Sequence, residues 1–207
     1  MEGNNLNLTI YSKEVVEFVT AANEFCGAIE NVRNYSVAEN LKKLRLILPL
    51  LYLKTIMVPE AEKLQDDELE KYVTEMDYNI LQHYWLQRLG EYDSYDEVFD
   101  PEIQFGYEKV TASISENLMD IYQDLKNFVT SYSLGDEKVM NDALYECILN
   151  FDNYWGQRLV NVLRAIHMLL AGDTDLGDNR SGPAKPERKK DKPEWFEKFW
   201  DTMSDED

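Results

Sequence analysis

At 207 residues, with 44% hydrophobic and 29% charged side chains, the chain has the size and balance of one globular domain with room for a tail. Its net charge of −19 excludes general nucleic-acid binding, which needs a basic footprint to displace counterions from phosphate. The longest apolar run, "LILPLLYL" from Leu46, is too short to span a bilayer and reads as a buried helix segment, so no membrane partner is expected.

The start, "MEGNNLNLTI", has no basic stretch followed by an apolar one, so no secretory signal is expected. Ser12 caps a first helix running to about Val32. Its apolar side is Val15, Val16, Phe18, Val19, Ala22, Phe25, Cys26 and Ile29. "SVAE" is a capping box in which Ser36 and Glu39 satisfy free N–H groups reciprocally, and it opens a second helix to about Met57. Pro49 should kink that helix, because it removes a donor and its ring meets the carbonyl four residues back.

A third helix is expected from near Asp66 to about Gly90. Beyond Tyr78 its apolar residues (Leu81, Tyr84, Trp85, Leu89) spread around the cylinder, which predicts a helix at the centre of the bundle. Residues 91–106 form a long acidic and aromatic connection. "SISE" is a second capping box at Ser113 and Glu116. It opens a fourth helix with Ile114, Leu118, Ile121, Leu125, Phe128 and Tyr132 at steps of three and four. Asp136 caps a fifth helix, which could continue to Ala171 and stop at Gly172, roughly 50 Å at 1.5 Å per residue; Gly156 would bend it or admit a close neighbour.

No stretch alternates with period two over a useful length, so the fold class is all-α: a bundle of about five main helices. Residues 1–172 are the expected bundle domain. Residues 173–192 read as a polar, basic linker and residues 193–207 as a short aromatic segment with an acidic end. In that segment Trp195, Phe196, Phe199 and Trp200 have helical spacing. They are the expected partner-binding residues, received either by another protein or by the chain's own bundle groove.

"HYWLQRLG" from His83 and "NYWGQRLV" from Asn153 share Tyr-Trp-x-Gln-Arg-Leu at an offset of seventy. The same offset aligns Leu64 with Leu134, Asp66 with Asp136, Leu48 with Leu118 and Tyr52 with Tyr122. Two pseudo-repeated helical hairpins, the second with the third helix and the fourth with the fifth, would explain this through equivalent buried positions. An arginine on or near a packed face needs a carboxylate. Asp120 and Asp124, one turn apart, are the candidate partners for Arg158 or Arg88.

"SISENLMDIYQDLKNF" and "FDNYWGQRLVNVLRAIHMLL" together resemble a bacterial family whose domain is of unknown function, in its L-x-D-I-Y-x-D-L-K-like and W-G…L-R-A-I/L-H-like helices. The resemblance covers roughly residues 113–170. It implies a helical fold and a cytoplasmic bacterial setting, and it brings no activity. Members of the family it resembles often carry His before the Trp-Gly pair, where this chain has Tyr154, which weakens any histidine-based chemistry.

Chemistry is sparsely signalled. Glu116, Asp120 and Asp124 form an acidic row at i, i+4 and i+8, the weak candidate metal ligands of a hydrolase using Mg²⁺. Glu14 and Glu17 form an ExxE pair without a matching ExxD on the second helix. No HExxH, phosphate-binding Gly-rich loop, GxSxG elbow or calcium loop is present, and no cofactor motif appears. His83 and His167 read as packing or hydrogen-bonded residues. Cys26 and Cys147 have no ligand spacing and read as small core residues of a reducing, cytoplasmic protein. The leading expectation is a protein-interaction or regulatory helical module. A carboxylate-based hydrolase at Asp120 and Asp124 is the alternative, and an acidic nucleic-acid mimic a distant one.

Overall fold

A computed structural model describes residues 9–97, 110–172, 174 and 176 of the chain. The expected linker and aromatic segment lie almost wholly outside the described residues, as does the middle of the acidic connection. The described residues are helical apart from a two-stranded ribbon and one long irregular stretch. We number the helices α1 (Lys13–Glu30), α2 (Val37–Ile56), α3 (Glu75–Leu89), α4 (Ile114–Ser133), α5 (Glu137–Asn150) and α6 (Gly156–Ala171). A π turn at Phe151–Trp155 joins α5 to α6, so these make one continuous fifth helix.

Local signals set most boundaries. The Ser12 hydroxyl accepts from the Val15 N–H, and the Ser36–Glu39 box is closed in both directions. Asp136 accepts from the Lys138 and Val139 N–H groups. α2 runs on through Pro49 to Ile56. Ser113 caps α4 through the Glu116 N–H, but its hydroxyl donates to Asp93 Oδ2 at 2.6 Å rather than sharing a reciprocal box. Asp93 is buried there and also accepts from the Ser115 N–H at 2.7 Å, a carboxylate held at the positive end of a helix.

Three expectations are corrected. Residues 66–74 are not helical, and α3 starts at a Thr74–Asp77 capping box. The backbone donors ahead of it are taken by side chains of α4 and α5. Asp142 accepts from the N–H groups of Leu64 (2.8 Å) and Gln65 (2.9 Å), and Asn127 from those of Tyr72 (2.7 Å) and Val73 (3.0 Å). Bonded this way, Tyr72 and Val73 cannot donate to helical carbonyls, while Asp142 pins the chain just ahead of Asp66 to the bundle. The expectation of no sheet also fails. β1 (Ser94–Glu97) pairs antiparallel with β2 (Val110–Ser113), with Ser94 opposite Ser113. Finally, α3 is peripheral. Only Trp85 and Leu89 are buried on it, while Met76 is 71% exposed. The central helix is α4, which packs on α1, α3, α5 and α6.

The two Tyr-Trp-x-Gln-Arg-Leu copies both bury their tryptophan and donate its indole N–H to a main-chain carbonyl. Trp85 reaches Ile29 in α1 and Trp155 reaches back to Cys147. The hairpins are nevertheless not equivalent: α2 packs chiefly on α1 and α6, while α3 lies on α4. The second copy, moreover, straddles the π turn. The shared residues solve the same burial problem in two different settings.

Gly156 is where the π turn closes, its N–H bonding to the Phe151 carbonyl. A Cβ at Gly156 would stand 2.5 Å from that carbonyl oxygen and 3.0 Å from two Phe151 ring carbons. Gly156→Ala should therefore lower stability by roughly 1–3 kcal/mol through overpacking. Gly27→Ala, in α1 with open space around the added methyl, should raise it by about 0.5–1 kcal/mol. Urea unfolding of the two variants checks the contrast.

Candidate functional site

The acidic row on α4 divides into three different environments. Glu116 is exposed on the first turn. Asp120 is enclosed by donors from two other helices: Tyr78 Oη of α3 reaches Oδ1 at 2.9 Å, while Tyr154 Oη (2.9 Å) and Arg158 Nε (2.8 Å) reach Oδ2. The Arg158 guanidinium also lies over the Tyr154 ring at 3.6 Å. Burial and then the Asp120 charge push the Tyr78 hydroxyl far up, and burial followed by the Asp120 bond raises that of Tyr154, so both stay protonated donors at neutral pH. Arg88 instead donates to the Arg33 carbonyl at 2.9 Å. With both oxygens committed to three donors, Asp120 joins α3, α4 and the fifth helix as a polar clamp.

Asp124 sits one turn further on, accepting from Asn150 Nδ2 at 2.9 Å. It lines a cavity of about 20 Å³ with Lys71, Asn127, Glu146 and Cys147, room for a single water. Burial raises its carboxyl, opposed by the Asn150 bond and the Lys71 charge. Among the described residues no group of three or more His, Cys, Asp and Glu is gathered as metal ligands. His83 is exposed beside Gln87, and His167 is exposed on α6. Cys26 and Cys147 are free and buried; burial pushes the Cys26 thiol to about 12 and that of Cys147 well up. Such thiols are inert core residues rather than nucleophiles.

The residues that stand out as unused by the fold lie on α2. The run from Leu46 was expected to be buried, but α1 and α6 cover only one side of this helix. Leu41, Leu44, Leu48 and Leu51 face them and are fully buried. Leu46 (75% exposed), Leu50 (45%), Leu53 (49%) and Met57 (45%) form the opposite edge at steps of four, three and four. One helical stripe of large apolar side chains therefore faces solvent. Lys42 and Lys43 precede it on the outer side, Lys43 lying over the Tyr35 ring. α2 carries Lys42, Lys43, Arg45 and Lys54 against Glu39 alone, Lys54 being paired with Glu17 of α1 at 2.7 Å, in a chain of net charge −19. The signal was present in the sequence as unbroken apolarity with a basic start, but a run apolar on all sides reads as core until its neighbours are known.

Residues 9–172 match the family described as Domain of unknown function (DUF5063). The chain belongs to this family. Protein BF1032 from Bacteroides fragilis, a crystal structure from structural genomics, is similar to it at 37% identity and a TM-score of 0.70. The similarity covers 87% of this chain and 99% of that one. Among curated proteins none matches. The DUF5063 match thus takes in the Asp120 clamp and the α2 stripe, and it ends before the aromatic segment at Trp195. No helix of the described residues is long and apolar enough to cross a membrane.

Removing the clamp leaves two hydroxyls and a guanidinium without their acceptor. Asp120→Ala should cost roughly 2–3 kcal/mol in chemical denaturation, whereas Glu116→Ala on the exposed turn should stay within about 0.5 kcal/mol.

Asp124 titrates in the opposite sense from a salt-bridged carboxylate. Its folded pKa is raised, so between the ordinary aspartate value and that raised value the native state holds more protons than the unfolded one. Stability due to this group is therefore present at low pH and lost as pH rises through that window. Asp124→Asn should remove that loss, so the stability difference between variant and wild type should grow in the variant's favour from about pH 4 upward. A difference curve from urea titrations that is flat across this range would refute the assignment.

Proposed function

We propose that this chain is a protein-interaction module, and that the outer face of α2 is its recognition surface for an amphipathic helix with apolar anchors and acidic flanks. The single observation that carries this reading is the solvent-facing stripe of Leu46, Leu50, Leu53 and Met57 on a basic helix of an acidic protein. Isolated exposed apolar residues are ordinary on a protein surface; four in helical register are not. The spacing matches the i, i+3, i+4, i+7 anchors by which one helix lies along another. The cations select charge: an acidic partner is steered onto α2, while a basic one is drawn to the rest of the surface. The C-terminal residues Trp195, Phe196, Phe199 and Trp200 form the second recognition element of the module, for a partner or for the bundle itself. A cytoplasmic setting belongs to the same reading and is supported by two unpaired cysteines.

The carboxylates of the hydrolase alternative give it little support, because Asp120 is saturated by structural donors and Asp124 faces a cavity the size of one water.

The test uses a fluorescent helical peptide with leucine and tryptophan anchors at i, i+4 and i+7 and glutamate flanks. Its target is the full chain with Trp195, Phe196, Phe199 and Trp200 all changed to Ala, so that α2 is read separately from that segment. Anisotropy should show saturable binding, at least tenfold weaker for a lysine-flanked twin at low salt. Leu50→Glu should weaken it at least tenfold again while moving the unfolding midpoint by no more than about 2 °C, as expected for an exposed position. Equal binding of both peptides, or binding indifferent to Leu50→Glu, overturns the reading.

A further inference from the structure

We propose that the chain carries its own ligand for this surface: the C-terminal segment 193–207 docks on the α2 stripe of the same molecule and competes with outside partners. This inference rests on the α2 interaction reading and adds to it the identity of one occupant and a mode of regulation.

The chemistry of segment and stripe is complementary. The segment offers Trp195, Phe196, Phe199 and Trp200 at i, i+1, i+4 and i+5, which one side of a helix would collect, with Pro193 suited to its first turn. It carries Glu194, Glu197, Asp201, Asp205, Glu206 and Asp207 against Lys198 alone. The stripe offers four aliphatic side chains, with Lys42 and Lys43 at its start and a single carboxylate on its helix. Large aromatics entering an apolar row are the side chains that dominate binding energy elsewhere.

The exposed apolar residues of α3 have the wrong charge around them. α3 exposes Met76 and Ile80, but Glu75 and Asp77 stand beside them and Glu68 and Glu70 precede the helix. An acidic segment is repelled there and attracted to α2.

Reach is sufficient. Leu176, the last described residue, packs against the core just beyond the helix α6 that itself lies on α2. Trp195 lies nineteen residues further on, and a polar chain of that length would span about 25 Å on average if flexible and at most about 65 Å if extended. A domain of this size has a radius of gyration of about 15 Å. A tether in that range holds its ligand at an effective concentration on the order of millimolar. An intrinsic affinity of only about 0.1 mM would then leave the stripe mostly covered and weaken an outside ligand by about tenfold.

Two measurements on full-length chains test this. In the first, Leu50→Cys with Phe199→Cys is allowed to oxidise and is compared with Met76→Cys with Phe199→Cys. The native thiols are buried and do not interfere. The proposal expects the Leu50 pair to form a disulfide within one chain at least ten times faster than the Met76 pair, seen as a shifted monomer band on a non-reducing gel. Equal rates, or a Leu50 disulfide that joins two chains, overturns it. In the second, the glutamate-flanked peptide is titrated into wild-type chain and into the chain with the four C-terminal aromatics changed to Ala. Wild type should bind at least tenfold more weakly, with the gap narrowing at 0.5 M salt. Equal affinity, with Leu50→Glu still abolishing binding, discards the tail as occupant and leaves the α2 reading standing. No binding to either chain removes the α2 reading, and this proposal with it.

Discussion

Much of this bundle depends on how one long helix keeps its apolar seam in line. From Cys147 the buried residues of the fifth helix follow at steps of four, through Phe151 and Trp155 to Leu159. A regular helix turns about 100° per residue, so three such steps carry the seam roughly 120° out of register. The π turn at Phe151–Trp155 absorbs most of that drift by taking in one extra residue. The cost is local crowding, visible in the absence of space for a side chain at position 156, where the Phe151 and Trp155 rings pack edge to face at 4.7 Å. The gain is that α6 meets α2 and α4 with Leu159, Val162 and Ile166, while Tyr154 and Arg158 turn toward Asp120.

Around that helix, buried carboxylates and amides serve as backbone acceptors or as clamps between elements. Asp93 terminates the 3₁₀ turn at Gly90–Asp93 and holds the first turn of α4. Asp142 and Asn127 hold the irregular stretch between α2 and α3 against the bundle. Asp120 ties α3 to α4 and the fifth helix. Among the described residues every buried side-chain polar atom has a partner. Unpaired, each such group would cost a few kilocalories per mole. This accounting leaves the interior little spare chemistry and moves attention to the outside, where α2 presents an apolar and basic face. The same helix therefore supplies the core with one edge and the surface with another.

Much of the architecture is readable from residues alone. Ser12, Ser36, Ser113 and Asp136 announce helices because capping is a local matter, settled within four residues. The all-α class, the continuity of the fifth helix and its end at Gly172 follow from periodicity and punctuation in the same way. A tryptophan in an apolar context is bound for burial, and an arginine beside it calls for an acceptor. What the linear order withholds is which distant group answers each demand. That Tyr78 shares Asp120 with Tyr154 and Arg158, and that Asn127 takes the Tyr72 and Val73 N–H groups which a helix from Asp66 would have used, depends on elements far apart in sequence.

The sequence by itself determined the helices, their caps and the supply of apolar surface, because propensity and capping act over a few neighbouring residues. Only the tertiary structure decided how that surface is spent. Packing by α1 and α6 consumes one side of α2 and no more, so the apolar run from Leu46 is half core and half exposed stripe. α3, apolar on several sides, was left at the periphery because α4 occupies the centre. Burial is a property of an arrangement of elements, and no single stretch of chain carries it.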